Sequence, residues 1–230
     1  MTTARIYLWD LPTRLIHWLL LLLVITALVT GLRGGSWMVW HERAGLAIFA
    51  LVVLRLIWGL IGSSYAQFRQ FVPIPKRVLL YLRGHWHGEG HTPLGALSVL
   101  AMLAVLLMQA GSGLFANDDI VTKGPLYPLV SASTSDLLTR LHRQGLGMIV
   151  GLVTLHISAV LFYWLVRRQQ LIMPMISGWK NTNNPQAQSA QGGGWRSLII
   201  ALALTSALLW VASGGLLSPP PPVSTTLPDW

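Results

Sequence analysis

Residues 141–156 read Leu141-His142-Arg143-Gln144-Gly145-Leu146-Gly147-Met148-Ile149-Val150-Gly151-Leu152-Val153-Thr154-Leu155-His156. The stretch is apolar, with a histidine near its start and another at its end. At about 100° and about 1.5 Å per residue, the two imidazoles fall within about 40° of each other on one helix face, about 21 Å apart along the axis. A bilayer core is about 30 Å thick, so one helix face offers an imidazole near each side of a membrane. Ionisable groups at such depths are costly and mark function. The plainer alternative is that each histidine hydrogen-bonds a neighbouring helix.

The composition agrees with a membrane protein. Of 230 residues, 53% are hydrophobic and 10% are charged, against about 25% charged in a soluble domain. The net charge of +9 comes from 16 bases and 7 acids, with only 3 Lys. It reflects scarce acids rather than plentiful bases, so no nucleic-acid partner is expected. The absence of Cys excludes disulfides, Cys-ligated iron–sulfur clusters, Cys zinc sites and covalently attached haem. Redox chemistry would rest on His, Met or a non-covalent cofactor.

Five stretches are long and apolar enough to span a bilayer: about residues 15–31, 44–60, 93–115, 144–166 and 197–217. The first is longer than a signal-peptide core and lacks a clear small-residue cleavage site, so it reads as an uncleaved span. One side of the resulting topology holds Arg5, Arg14, Arg69, Lys76, Arg77, Arg83, Arg167, Arg168, Lys180 and Arg196, with only Asp10 and Glu89. The other holds Arg33, Arg43, Lys123, Arg140 and Arg143 against Glu42, Asp118, Asp119, Asp136 and Asp229. The basic excess puts the N-terminus in the cytoplasm and the C-terminus outside. Trp9, Trp18, Trp37, Trp40, Trp58, Trp179 and Trp195 fall near the span edges, where headgroup-level anchors are expected. The Asn/Gln/Ser/Gly-rich stretch 181–194 reads as a flexible cytoplasmic linker, and Pro219 to Pro222 stiffen a short external tail.

Depth pairs the histidines. His17 lies at the cytoplasmic end of span one, and His41 at the external mouth of span two. Span four runs inward, so His142 is external and His156 lies toward the cytoplasm. That gives the pairs His41/His142 and His17/His156. Two imidazoles from facing helices can sandwich an iron porphyrin in a bundle core. Zinc fits less well, because the span interiors offer no Asp, Glu or Cys to complete its shell. Gly45, Gly145, Gly147 and Gly151 lie near the external pair and would leave clearance for a flat ring; close helix packing is the alternative.

Pro12-Thr13-Arg14-Leu15-Ile16-His17-Trp18 resembles the opening of the bacterial cytochrome b561 family. That family includes the cytochrome b subunits of membrane nickel–iron hydrogenases and is similar to those of formate dehydrogenases. The stretches His41-Glu42-Arg43-Ala44-Gly45, Arg55-Leu56-Ile57-Trp58-Gly59, Gly90-His91-Thr92-Pro93-Leu94-Gly95-Ala96 and Leu141-His142-Arg143 match as well. The resemblance covers roughly residues 5–180. It implies an all-α, integral membrane four-helix bundle with two haem b groups. A fifth C-terminal transmembrane helix lies outside it. The expected organisation is a dihaem domain over 1–180, a flexible linker over 181–196, and the fifth helix with its proline-rich periplasmic tail over 197–230.

Arg55 sits inside span two with no acid near it in sequence. It reads as a haem-propionate partner, with snorkelling to the headgroups as the alternative. Arg14, Arg43 and Arg143 sit at span mouths, where lipid phosphate or topology accounts for them. His85-Trp86-His87-Gly88-Glu89-Gly90-His91 reads as a polar loop rather than a metal tract. By resemblance, His91, Thr92 and Gly95 help form a quinone site beside the cytoplasmic haem.

The resulting expectation is a dihaem membrane cytochrome carrying electrons between a periplasmic redox partner (a dehydrogenase, hydrogenase or c-type cytochrome) and the quinone pool. One alternative is a stand-alone quinone reductase with a small donor such as superoxide. An alternative of another class is a non-haem membrane transporter, for which only the intramembrane Arg55 speaks.

Overall fold

The computed structural model describes residues 4–86, 88–119 and 122–217; His87, Pro219 to Pro222 and Asp229 lie outside the described residues. The bundle begins at Asp10. Its extended backbone and its carboxylate, which accepts from Thr13 N at 2.8 Å, cap helix α1 (Leu11–Arg33), with Pro12 in the first turn. The chain leaves α1 at Gly34, φ 65°, which suits a residue without Cβ. One 3-10 turn leads into α2 (Met38–Ile61). Two short helices follow, α3 (Phe68–Phe71) and α4 (Pro75–Leu82). The Thr92 hydroxyl caps α5 (Pro93–Gly113), and Ser131 caps α6 (Ala132–Leu165). The short α7 (Ile172–Ser177) and the final α8 (Trp195–Ala212) complete the order.

Among the described residues, five helices are long and apolar enough to cross a membrane, matching the five expected spans. The largest boundary difference is in α6, which starts at Ala132 rather than near residue 144. Its 34 residues extend about 51 Å, well beyond the hydrocarbon slab of about 30 Å. The early turns are stabilised by polar packing instead. Ser135 Oγ donates to Phe115 O at 2.7 Å and accepts from Asn117 Nδ2 at 2.6 Å.

Helix α1 packs on α2, α2 on α5, α5 on α6, and α8 on the far side of α2. The central core is Ile48, Val52, Leu103 and Ala110, with Leu20, Leu23 and Val24 of α1 against it. Leu22, Leu155 and Ile200 remain more than half exposed. An apolar outer surface of this kind suits lipid, where helices already satisfy their own backbone.

Strand β1 (Ala4–Tyr7) pairs antiparallel with β2 (Trp179–Thr182), from Ala4↔Thr182 to Tyr7↔Trp179. The pairing ties the N-terminus to the connection between α6 and α8, so these segments share one end of the bundle, here the sheet end. The stretch read as a flexible linker is pinned there. Ala190 N donates to Tyr7 O at 2.6 Å, Ser64 N to Gln191 O at 2.8 Å, and Tyr65 Oη to Gln188 O at 2.9 Å. Gly193, at φ 64°, lets the backbone pass so close to Ser63 that a Cβ would lie 2.5 Å from its amide nitrogen. Composition alone suggested freedom because it cannot reveal which backbone groups will meet these polar residues.

The tryptophans divide. Trp37, Trp40, Trp179 and Trp195 are exposed, as edge anchors should be, whereas Trp9 and Trp58 are buried. Trp58 turns inward because its indole N–H donates to Asp10 Oδ2 at 2.8 Å.

Candidate functional site

Both histidine pairs expected from depth lie together in the structure. His41 of α2 and His142 of α6 have ring centres 5.8 Å apart. His17 of α1 and His156 of α6 have ring centres 6.3 Å apart. A metal–imidazole bond is about 2 Å long and the ring centre lies roughly 1 Å beyond the nitrogen, so two imidazoles on opposite faces of one metal place their centres about 6 Å apart. Both pairs have a ring spacing that would suit two imidazoles sharing one metal.

The rings of the pair away from the sheet end are oriented by backbone carbonyls. His41 Nδ1–H donates to Ala27 O and His142 Nδ1–H to Gln109 O, each at 2.8 Å. A carbonyl only accepts, so Nδ1 carries the proton and Nε2 keeps the ligating lone pair. His41, His142, Gly31, Gly45, Gly113 and Arg143 are among the residues lining a cavity of about 470 Å³. At Gly45 a Cβ would meet nothing within 4 Å, so its edge of the cavity is open. The other expected clearance glycines behave differently. Gly145 is packed against Gln109, while Gly147 and Gly151 lie on the exposed side of α6. A flat, largely apolar group carried on two imidazoles fits these residues.

At the sheet end, the His17 ring lies 5.0 Å from Trp18, whose indole donates to Met175 O at 3.1 Å. Arg55 is 6% exposed, so it does not snorkel. Its Nη1 donates to Ala66 O at 3.2 Å and its guanidinium lies 5.2 Å from the Phe68 ring centre. Asp10 is its electrostatic neighbour. The acid that looked absent in sequence arrives from α1 through the fold.

His91 lies between two aromatic rings, 4.6 Å from Trp9 and 4.4 Å from Phe71. Burial pushes its pKa down to about 3, with the Arg55 charge adding to the effect. Its imidazole is therefore neutral at ordinary pH. Thr92 Oγ1 accepts from Gly95 N at 3.1 Å, so both residues shape the start of α5 beside His91. Glu89 accepts from Thr182 Oγ1 at 2.7 Å and pairs with Lys180 at 2.9 Å. The loop containing His85 thus spends its carboxylate on β2, and no cluster of three metal-ligating side chains occurs among the described residues.

Asp10 as a hub was not legible in the sequence, nor were Ala27, Thr30, Gly31, Gln109, Ser112 and Gly113 around the His41 and His142 imidazoles. The signal was present as Thr30-Gly31-Leu32 and Ser112-Gly113-Leu114, a hydroxyl–glycine pair near the same end of spans one and three.

Fold and site together define a multi-pass helical membrane protein whose bundle carries paired imidazoles at two levels. Residues 8–178 match the family model described as prokaryotic cytochrome b561. The chain belongs to the prokaryotic cytochrome b561 family and is a membrane b-type cytochrome of electron transfer, a class whose cofactor is haem b. It is similar to a probable Ni/Fe-hydrogenase B-type cytochrome subunit of Azotobacter vinelandii, 25% identical over 217 residues, covering 77% of this chain and 89% of the relative. The protein of the same description from Azotobacter chroococcum mcd 1 is 24% identical over the same shares. That of Bradyrhizobium diazoefficiens is 22% identical, covering 75% and 85%. No solved structure matches the chain.

Proposed function

We propose that this chain is the membrane cytochrome of a redox complex, holding two haem b groups and passing electrons between a partner outside the membrane and quinone within it. The observation that carries the reading is the pair of imidazole pairs, at 5.8 and 6.3 Å, separated by about 21 Å along α6. His41 and His142 hold the outer haem, and His17 and His156 the inner one. Haem would supply one-electron chemistry there, and a haem held by two of these imidazoles would suit outer-sphere transfer rather than oxygen binding.

The chain's own residues do the rest. The bundle excludes water, the carbonyls of Ala27 and Gln109 fix the outer rings, and Arg143 at the outer cavity and Arg55 inside offer cations to propionates. The relatives' description supports a hydrogenase-class partner, and the balance of loop charges supports a periplasmic side for it, with the sheet end in the cytoplasm of a bacterial inner membrane. Quinone is taken up near His91, Thr92 and Gly95. The neutral His91 imidazole can donate to a quinone carbonyl or accept from a quinol hydroxyl without carrying a charge into the membrane.

The test is a reduced-minus-oxidised spectrum with haem extraction on the purified full chain. Two non-covalent haems per chain are expected. Quinol oxidation or quinone reduction should fall at least tenfold in His91→Ala with both haems retained. Unchanged turnover and inhibitor binding in that variant would remove the quinone assignment.

A further inference from the structure

Around the outer imidazoles the same local arrangement occurs twice. On α1, Ala27 O accepts His41 Nδ1–H at 2.8 Å; the Thr30 hydroxyl, three residues on, also reaches Ala27 O at 3.3 Å. On α5, Gln109 O accepts His142 Nδ1–H at 2.8 Å; the Ser112 hydroxyl, again three residues on, donates to Gln109 O at 3.0 Å. The fourth residue is glycine both times. A Cβ at Gly31 would lie 2.8 Å from His41 Nδ1, and one at Gly113 would lie 3.0 Å from His142 Cε1. Both hydroxyl residues are buried. The histidines come from other helices, so each ring is seated in a small notch of its neighbour.

We propose that Thr30-Gly31 and Ser112-Gly113 form paired seats that position the outer axial imidazoles and set their basicity. The proposal rests on the two-histidine reading of the outer pair. Glycine lets the ring approach the backbone, since any Cβ would displace it. The carbonyl then accepts Nδ1–H and pushes electron density toward Nε2, and a stronger bond makes a more basic ligand. The hydroxyl works the other way. A carbonyl oxygen has two lone pairs, and it already serves the helical N–H four residues on. A hydroxyl added to the same oxygen leaves less density for the imidazole.

The two seats are graded. Thr30 Oγ1 bonds mainly Thr26 O, at 2.6 Å. Ser112 gives its hydrogen to Gln109 O, and its oxygen also lies 3.4 Å from His142 Nδ1. Gln109 reinforces this side, because its Nε2 donates to His142 O at 2.9 Å. Ser112 should therefore move the ligand more than Thr30 does. These are positioning residues, acting through His41 and His142. A more basic imidazole favours the ferric state, so losing the hydroxyl lowers the potential of one haem.

The experiment is a redox titration, with haem quantitation, of the full-length protein in detergent. Ser112→Ala should retain two haems and shift one midpoint negative, leaving the other at its wild-type value. Ser112→Thr should restore it, and Thr30→Val should give a smaller shift of the same sign in the same haem. Gly113→Ala and Gly31→Ala should each lose the low-spin signature of that haem while the other persists. His142→Ala separates the two levels of inference. If it loses one haem, the two-histidine reading stands, and unchanged midpoints in Ser112→Ala together with intact spectra in both glycine variants would overturn the seats. If it keeps both normal haems, the reading itself falls and the seats with it.

Discussion

Trp58 donates its indole N–H to Asp10 Oδ2 at 2.8 Å, joining the end of α2 to the start of α1. The same carboxylate accepts from Ser63 Oγ at 2.5 Å and caps α1 through Thr13 N at 2.8 Å. His17 lies two turns further along α1, so the geometry of the His17/His156 pair depends on this junction.

Asp10→Ala should therefore cost stability. A lost N-cap is worth about 1 kcal/mol and hydrogen bonds to a charged group about 1.5–3 kcal/mol, and Arg55 would lose its nearby anion. A loss of roughly 2–4 kcal/mol is expected. A thermal melt in detergent followed by circular dichroism checks it, with Asp10→Asn retaining part of the stability.

The pinned connector gives a second prediction. Burial pushes the Glu89 carboxyl up, but bonds from Thr182 and Lys180 outweigh this and leave it below its ordinary value of 4.5. A carboxylate with a depressed folded pKa contributes stability that is present above about 4.5 and lost as pH falls through the lower folded value. The pair is partly exposed, so the contribution is about 1 kcal/mol or less. Glu89→Gln should speed proteolysis within residues 183–192 at neutral pH, and wild type should approach that rate as the medium is acidified below about pH 4.5. Equal cleavage rates would mean that the pair does not hold the connector.

His91 gives a pH dependence of its own. Its pKa is lowered from 6.5 to about 3 by burial, with Arg55 contributing. The unfolded chain takes up a proton near pH 6.5 while the folded chain resists until about 3. Stability should thus decline as pH falls through that window. His91→Phe, which keeps a ring between Trp9 and Phe71, should flatten this part of the stability–pH curve in detergent melts.

Helix α8 lies beyond the residues that match the family, yet it packs on α2. Ala201 is 0% exposed and joins Trp58 and Ala66 in one cluster. Ala201→Leu should overpack that contact, at a cost of about 1–3 kcal/mol. Ala201→Ser keeps the volume closer and should cost less. The same detergent melt distinguishes the two.

The spans and the histidine pairs were legible because hydrophobic length and helical period act within one segment. His142 and His156 share a face by arithmetic, and His17 and His41 join them by depth alone. What stayed hidden depends on contacts between segments. Asp10 looked like one acid among basic residues until α2 brought Trp58 and Arg55 to it. Residues 181–194 looked free because composition does not reveal that Tyr7, Ser64 and Tyr65 supply their partners. Ser112 and Thr30 looked like ordinary small residues in a span, since only tertiary packing puts an imidazole on the carbonyls beside them.

The most direct test is haem stoichiometry in the purified chain and in His142→Ala and His17→Ala, with low-spin signals recorded for each. Two low-spin b haems in the wild type and one in each variant are expected, with a different haem lost in the two cases. A wild type that binds a single haem, or either variant retaining two normal low-spin haems, would contradict the assignment of His41/His142 and His17/His156 as axial pairs.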